Sequence, residues 1–442
     1  MPTFIRGATL SYVADPFAVG IERALRYESD AIVGIEDGLI ILHAPVTAGL
    51  LAEIEGRFAI VRYPDAIIMA GFLDAHVHYA QTAIIGSHGE HLLDWLTKYA
   101  FPAEAAFRDP AHARTVAQAY FGENLRNGIT TAMVYGTVFP QSVDVLFEES
   151  ERLGLRTIAG KVMMDRNAPA TLLDTAEQSY RDSKALIERW HGKGRSLYAI
   201  TPRFAATSSA AQLEAAGTLR REHPDCFVQT HIAEQLDEVE WVRKLFPGRS
   251  GYADIYDHFG LLGRGVVLGH GIHLSEAELQ RLHGTGTAIA HCATSNLFLG
   301  SGLFDLGRAK AAPRPVHVAL GTDLGAGTTF SMLQTLNETY KVAQLKDYPL
   351  SAGHGFYLAT RGSAAALGLE DRIGSLATGL EADLVVLDLH ATPLMKFRMQ
   401  YAKDIHDVLF LLMTLGDDRA IRATYVAGLL AHDRDGHSVP AI

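Results

Sequence analysis

Apolar and polar residues alternate in short runs over the first 66 residues, and Gly or Pro separates these runs. Alternation with a period of two is typical of strands that bury one face. The pattern predicts antiparallel strands at residues 4–13, 31–42 and 58–63. It predicts no helix in this part of the chain.

From residue 67 onward, a short apolar strand followed by a segment with helical periodicity becomes the repeating unit. Eight strands are predicted, at residues 67–74, 129–135, 156–164, 197–204, 227–231, 265–270, 287–291 and 317–323. Helical stretches follow them, including residues 91–100 and 114–127. After the sixth strand, Ser275 and Glu278 have the spacing of a capping box, which marks a helix start. Eight such units favour a closed (β/α)8 barrel of the TIM type over an open sheet, so the predicted fold class is α/β.

The last predicted barrel helix, residues 353–369, is followed by a strand at 382–387 and by short mixed segments. Both ends of the chain therefore contain strands that the barrel does not use. We expect residues 1–66 and 370–442 to form one small β-sandwich domain. The barrel, residues 67–369, is then inserted between its two halves.

The composition is that of a soluble globular protein, since 48% of the 442 residues are hydrophobic and 20% are charged. The net charge of −11 is spread along the chain without a basic block. This argues against nucleic acid or an anionic membrane as the main partner and favours a small uncharged or cationic ligand.

Cys226 and Cys292 are the only cysteines, too few for a disulfide framework or a cysteine-built zinc site. They are compatible with a reducing compartment. The first residues lack the apolar core of a signal peptide, and the most apolar later run, residues 408–415, is too short to span a bilayer. We therefore expect a cytoplasmic protein.

Candidate functional residues occur where the predicted barrel strands end, which is where barrel enzymes build their active sites. They are His76 and His78 after strand one, Arg203 and Phe204 at strand four, His231 at strand five with Glu234 three residues later, His270 at strand six and Asp323 at strand eight. Any one of them alone would more often be an ordinary core, loop or turn residue. Their coincidence at one rim predicts a single site.

The residue types at this rim suit a metal hydrolase. Three imidazoles and a carboxylate, from His76, His78, His231 and Asp323, can hold one Zn²⁺ and leave a position for water. His270 is placed to orient that water or to be a further metal ligand. Asp323 can take the proton of the water, and Glu234 can carry protons to the substrate and the leaving group. The predicted catalytic residues are therefore Glu234, His270 and Asp323.

Other site types lack their key residues. Two-metal hydrolases of this architecture often use a modified lysine at the end of strand four, where this chain has Arg203 and Phe204. Neither cysteine lies in the Pro-Cys-x-x-Cys context of a cytidine-deaminase-type site. Residues 300–302, Gly-Ser-Gly, have no Walker-type lysine, so we interpret them as a flexible loop that shapes the site. One metal is the simplest prediction.

Several segments resemble the guanine deaminases of the amidohydrolase superfamily. They are HVHYAQ at 76–81, LLDWL at 92–96, FPAE at 101–104, TPRF at 201–204, QTH at 229–231 with Glu234, DEVEWV at 237–242, GHGIHL at 269–274, TSNLFLGSG at 294–302, GTD at 321–323 and SMLQ at 331–334. The resemblance covers the whole barrel. It implies hydrolysis of guanine to xanthine and ammonia at a single zinc, in a homodimer with a β-sandwich formed by the chain ends.

The resemblance also assigns residues. It implies that His76, His78, His231, His270 and Asp323 are the metal set, that Glu234 is the proton shuttle, and that Gln81, Arg203 and Phe204 contact the substrate. A guanidinium offers fixed donors to a purine, and an aromatic ring can cover its face. A surface or interdomain salt bridge for Arg203 and simple core packing for Phe204 are the alternatives. Ala70, Ala206 and Ala293 replace prolines that are usual in this family, which predicts looser loops near the site.

Three questions stay open at this stage. The native metal is Zn²⁺ or Fe²⁺. The substrate is guanine or a related heterocycle, such as a pterin, 8-oxoguanine or a triazine. The third question is whether the protein is an enzyme or a non-catalytic scaffold that kept the fold, although none of the predicted ligands is lost.

Overall fold

The computed structural model describes residues 2–88 and 91–436, and the centre of the molecule is a nearly closed barrel of eight parallel strands. Neighbouring strands pair in chain order. The first and last strands meet where Asp323 N donates to His76 O at 2.8 Å. The barrel strands are Phe72–His78, Ile129–Tyr135, Arg156–Gly160, Ser196–Pro202, Phe227–Ile232, Val266–His270, Ala288–His291 and His317–Leu320.

Helices surround the barrel and return the chain to the start of each next strand. The α-helices that follow strands one to eight are Leu92–Trp95, Phe101–Ala105, Pro110–Arg126, Pro140–Arg152, Ala176–Trp190, Ala210–Glu222, Leu236–Leu245, Tyr252–His258, Glu276–Thr285, Ala293–Phe298, Leu306–Lys310, Met332–Leu345, Ala352–Leu358 and Arg361–Leu367. A π-helical turn, Leu96–Ala100, and several 3₁₀ turns complete these connections. The capping box predicted for the helix after strand six is present, with Ser275 as the N-cap.

A separate sheet of seven strands combines the two ends of the chain. Its strands are Thr3–Tyr12, Leu25–Glu36, Leu39–Pro45, Ile60–Ala70, Leu384–Asp388, Ile421–Val426 and Leu429–Asp433. The sheet curls until its ends meet, because Gly38 O accepts from Ala382 N and Ala382 O accepts from Gly428 N, both at 2.8 Å. Apolar side chains from most of its strands share one core. The predicted fold class, a barrel with a small β-sandwich domain, is confirmed.

The first predicted barrel strand, residues 67–74, is wrong in its boundaries. Residues 67–70 belong to the strand Ile60–Ala70 of the other sheet, and the barrel strand begins at Phe72. Every residue from 66 to 81 is buried, so burial provides no marker of the boundary. The chain changes sheets at Gly71, where a Cβ would come within 2.3 Å of Thr130 Oγ1.

The N-terminal segment differs from its prediction in several places. Two short helices, Pro16–Val19 and Ile21–Ala24, lie where no helix was predicted. The single strand predicted at 31–42 is a hairpin, because Asp37 and Gly38 both adopt positive φ and form a two-residue turn. A helix, Ala48–Glu55, lies where none was predicted, with Thr47 capping its start. The apolar run at 408–415 lies in the helix Ile405–Leu415.

Among the described residues, no helix has both the length and the apolar character needed to cross a membrane. The domain division at residues 66/67 and 369/370 stays a prediction. Residues 1, 89, 90 and 437–442 of those predicted domains lie outside the described part of the chain.

Candidate metal centre and active site

Five predicted metal ligands lie together at the carboxyl ends of the barrel strands. His78 Nε2 and His231 Nε2 are 3.0 Å apart. Asp323 Oδ1 lies 3.4 Å from His76 Nε2 and 3.7 Å from His78 Nε2, and Asp323 Oδ2 lies 3.8 Å from His270 Nε2. Four of the five residues are fully buried, and His231 is partly buried.

The free nitrogen atoms of this cluster fit a metal ion. Nε2 of His76 and of His270 is buried without a hydrogen-bond partner in the described part of the chain. His231 Nδ1 is 2.6 Å from Arg203 O and His270 Nδ1 is 2.8 Å from Asn296 Oδ1, so both Nδ1 atoms act as donors. Each ring is thereby held with its Nε2 lone pair directed to the cluster, as in known metal sites. The 3.0 Å between two Nε2 atoms matches two ligands about 2.1 Å from one ion.

The protonation states of His76, His78, His231 and Asp323 also suit metal binding. Burial lowers the pKa of His76, and it lowers the pKa of His78 and of His231 well below the usual range, so their imidazoles are neutral. Burial alone would raise the pKa of Asp323, but the hydrogen bond with His76 and the charge of His270, whose own pKa is raised, lower it to about 2. Neutral imidazoles and an ionised carboxylate are the donors that Zn²⁺ and similar divalent ions prefer.

Asp74, to which the sequence assigned no role, supports the cluster from within the barrel. Its carboxylate accepts from His76 N at 3.2 Å and from Thr322 N at 3.0 Å, and it also binds the Thr322 hydroxyl. Asp323 itself has a left-handed backbone, with φ of 48°. Asp74 therefore joins the first strand to the turn that presents Asp323.

Glu234 lies beside the cluster without belonging to it. Its Oε2 is 3.5 Å from His270 Nε2, and its Oε1 accepts from Ser301 Oγ at 2.9 Å. Glu238 accepts from Glu234 N at 2.8 Å and so fixes the backbone there. Burial raises the pKa of Glu234 to about 7. A carboxyl group with this pKa can both take and give a proton near neutral pH.

The loop at residues 300–302, which the sequence was interpreted as leaving flexible, is held by several hydrogen bonds. Ser301 N donates to Asn296 O at 2.8 Å, and His273 Nε2 donates to Ser301 O, also at 2.8 Å. Gln235 Nε2 donates to Ser301 Oγ at 3.2 Å. The loop therefore brings a hydroxyl donor to Glu234.

A cavity with an empty volume of about 420 Å³, including its mouth, opens next to the cluster. The predicted substrate contacts Gln81, Arg203 and Phe204 all line it, together with Glu234. Its apolar wall is formed by Leu92, Trp95, Leu96, Leu299 and Ala326. Arg203 faces the cavity and also forms an ion pair with Glu104, and this pair is buried at the cavity wall and is not a surface or interdomain salt bridge.

The sequence pattern of the amidohydrolase family matches this chain over residues 67–430. The chain belongs to the amidohydrolase family.

Known proteins similar to this amidohydrolase include guanine deaminases. The guanine deaminase of Escherichia coli (strain K12) is 51% identical over 415 residues, which are 94% of this chain and 94% of that protein. A solved structure of E. coli guanine deaminase has a TM-score of 0.95 and 49% identity, covering 98% of this chain and 100% of the other. The resemblance seen in the sequence is confirmed.

A third relative carries a ligand. The solved guanine deaminase from C. acetobutylicum, with guanine bound in its active site, has a TM-score of 0.87 and 26% identity. It covers 97% of this amidohydrolase and 100% of its own chain.

All nine predicted site residues of this amidohydrolase lie in the cluster or along the cavity, and their individual roles stay predictions. Four residues that act on the site were not assigned from the sequence: Asp74, Glu104, Glu238 and Ser301. Glu104, Glu238 and Ser301 carried a signal, since they lie in the FPAE, DEVEWV and TSNLFLGSG segments of the resemblance, although no role was assigned to them. Asp74 acts through hydrogen bonds to residues distant in sequence, for which the sequence has no local pattern.

Proposed function

We propose that this amidohydrolase is a guanine deaminase, which hydrolyses guanine to xanthine and ammonia. One observation carries the proposal: Glu234 stands 3.5 Å from a buried cluster of metal-ligand type and lines the same cavity as Gln81 and Arg203. A proton shuttle, a metal cluster and polar groups for a flat base are thus within reach of one bound molecule. The likeness to guanine deaminases over nearly the whole chain supports the choice of guanine.

We propose one Zn²⁺ per chain, held by His76, His78, His231 and Asp323. His270 is a further ligand or orients the attacking water. When bound, the ion supplies activation of that water by lowering its pKa toward about 7. Fe²⁺ is the alternative metal, and the analysis of bound metal distinguishes the two.

The residues of the chain carry the protons and hold the base. Asp323 takes a proton from the attacking water, and Glu234 delivers a proton to the ring nitrogen beside the amino-bearing carbon. The attack adds the water oxygen to that carbon, and the C–N bond to the amino group then breaks. Glu234 then takes the proton of the added hydroxyl group, which becomes the new carbonyl, and transfers it to the departing nitrogen, which leaves as ammonia. The proton held by Asp323 returns to Glu234 and restores the starting state. Arg203 and Gln81 orient the base, and Phe204 covers one face.

The alternative substrates and the non-catalytic scaffold have less support than guanine deamination. No observation in the described part of the chain favours a pterin, an 8-oxoguanine or a triazine over guanine. The non-catalytic scaffold is disfavoured because all five proposed ligands lie together. The homodimer that the resemblance implies and the cytoplasmic location expected from the sequence stay predictions.

The test is metal analysis and ammonia release on one preparation. We expect one zinc per chain, rapid ammonia release from guanine, loss of activity after chelation and recovery when Zn²⁺ is added. Bound metal without ammonia release from guanine would reject guanine as the substrate. A panel of related heterocycles would then be tested as substrates. If the protein held no metal and released no ammonia, even after Zn²⁺ or Fe²⁺ is added, the scaffold would be favoured.

A further inference from the structure

Glu104 connects the two polar groups that are proposed to hold the substrate. It lies in the helix Phe101–Ala105 and is 1% exposed. Its Oε1 accepts from Arg203 Nη1 at 2.7 Å and from Gln81 Nε2 at 3.2 Å, and its Oε2 accepts from the same Nη1 at 2.8 Å. One buried carboxylate thus contacts both cavity residues.

These contacts determine which atoms remain for a ligand. A carboxylate paired with a guanidinium only accepts hydrogen bonds, whereas an amide has one donor end and one acceptor end. Because one N–H of the Gln81 amide donates to Glu104, the orientation of the amide is fixed, and its carbonyl oxygen and second N–H remain for other partners. That oxygen has no hydrogen-bond partner among residues 2–88 and 91–436. The side-chain hydrogen bonds of Arg203 use only Nη1, so Nε and Nη2 remain as donors.

Glu104 also links this polar pair to the apolar wall of the cavity. The helix that carries it follows directly after Leu92, Trp95 and Leu96, which line the cavity. Phe101, from the same helix, lies beneath the Arg203 guanidinium, with 5.6 Å from the guanidinium carbon to the ring centroid. The segment that encloses the substrate therefore carries the group that orients its polar contacts.

We propose that Glu104 is a positioning residue that makes Gln81 an acceptor and Arg203 a donor toward the substrate. The inference rests on the proposed function and deepens it by naming the substrate class. A matching base presents a ring N–H and a ring carbonyl oxygen, as guanine does with N1–H and O6. A base with an amino group or hydrogen at the position of that oxygen leaves the Arg203 donors or the Gln81 oxygen unpaired, and it is rejected.

The test compares guanine with 2-aminopurine, which keeps the amino group that is released but lacks the carbonyl oxygen. In Glu104→Gln, an amide replaces the carboxylate. The Gln81 amide can then rotate so that its nitrogen and oxygen exchange places, and Arg203 loses its ionic partner. We expect kcat/KM for guanine to fall about 100-fold, mainly through KM, and kcat/KM for 2-aminopurine to change less than about 3-fold. The metal content of Glu104→Gln should equal that of the unaltered protein.

Two further variants make the result specific. Glu149→Gln removes another buried, ion-paired glutamate, whose partners are Arg114 and Arg152, and it should leave the ratio of the two substrates unchanged. Glu104→Asp keeps the charge with a shorter reach and should give an intermediate ratio. It also provides the measurement if Glu104→Gln does not fold.

The outcomes separate the two proposals. An equal loss for both substrates in Glu104→Gln, or an unchanged ratio in both Glu104 variants, would overturn the role of Glu104 while guanine deamination stands. If the unaltered protein released no ammonia from guanine, the proposed function itself would be wrong, whatever the Glu104 variants do.

Discussion

The buried carboxyl groups near the cluster have different pKa values because their surroundings differ. Asp323 lies among histidines, which lower its pKa to about 2. Burial raises the pKa of Glu234 and of Asp74 to about 7. An ionised ligand and a carboxyl group that exchanges protons near neutral pH can therefore lie side by side.

Replacing Glu234 tests its role as the proton shuttle. In Glu234→Gln the side chain keeps its size but cannot exchange a proton, so we expect kcat to fall at least about 1,000-fold. Bound metal should stay at one per chain, because Glu234 is outside the proposed ligand set. Substantial remaining turnover by a metal-loaded variant would remove Glu234 from the mechanism.

Ser301 should adjust the pH at which Glu234 works. Burial raises the pKa of Glu234, and the hydrogen bond from Ser301 partly offsets this by stabilising the ionised form. Ser301→Ala removes that bond, so the pKa of Glu234 rises. Because Glu234 must carry the proton that it delivers, the alkaline limb of kcat/KM should move upward by about one pH unit. Ser301→Thr, which keeps a hydroxyl, is the control. An unmoved alkaline limb in the alanine variant would contradict the assignment.

The strand ends were a good guide to the site residues because chain order and chemistry coincide there. His76, His78, His231, His270 and Asp323 each follow a recognisable apolar strand. Glu104 and Asp74 were not assigned, because their importance depends on partners far along the chain, Arg203 and Thr322. No local pattern encodes such contacts.

At the scale of elements, boundaries were harder to predict than the elements themselves. The helix after strand six was predicted with its start because Ser275 and Glu278 mark it chemically. The helix Ala48–Glu55 was missed, since it has only 8 residues and includes Gly49, too little for a clear apolar period. The break at Gly71 was missed because apolar residues continue on both sides of it.

The cap at Ser275 should stabilise its helix without affecting catalysis. Its hydroxyl accepts from Glu278 N, and the Glu278 carboxylate accepts from Ser275 N at 2.8 Å. Ser275→Ala should lower the free energy of unfolding by about 1 kcal/mol, measured by urea denaturation, and leave kcat/KM unchanged. Ser275→Asp, which restores a capping acceptor, should recover most of the loss. A variant as stable as the original protein would contradict the contribution of the cap.

At the scale of the whole molecule, ion pairs fasten the barrel to the chain-end sheet. Arg156 and Arg195, from the third and fourth barrel strand regions, both bind Glu381, and Arg195 also binds Asp383. These carboxylates directly precede the sheet strand Leu384–Asp388. Asp383 also accepts a hydrogen bond from Ala427 N at 2.8 Å. This bond connects the ion pairs to the turn between the last two strands of the sheet.

Glu381 should contribute stability in a pH-dependent way. Burial alone would raise its pKa, but Arg156 and Arg195 lower it below the ordinary value of 4.5. Its contribution is therefore present above about pH 4.5 and is lost as the pH falls through the lowered pKa. Glu381→Gln should be about 2 kcal/mol less stable at pH 7, with a smaller difference at pH 3.5.

Urea denaturation of both proteins in the same buffers gives this difference, and acid effects common to both proteins cancel. A difference of equal size at both pH values would show that packing, and not charge, is the contribution of Glu381.

The joint between the first and eighth strands has a consequence for how the protein is made and how it comes apart. His76 and Asp323 are on opposite sides of this joint and are tied by Asp323 N to His76 O at 2.8 Å. A growing chain released only through the seventh strand has the four histidines of the proposed ligand set but lacks the carboxylate and the closed ring. The proposed metal would be held from both sides of the joint, so it would bind the closed ring more tightly than the open one and favour closure. Opening of the ring at this joint would take the carboxylate away from the proposed site and so weaken metal binding.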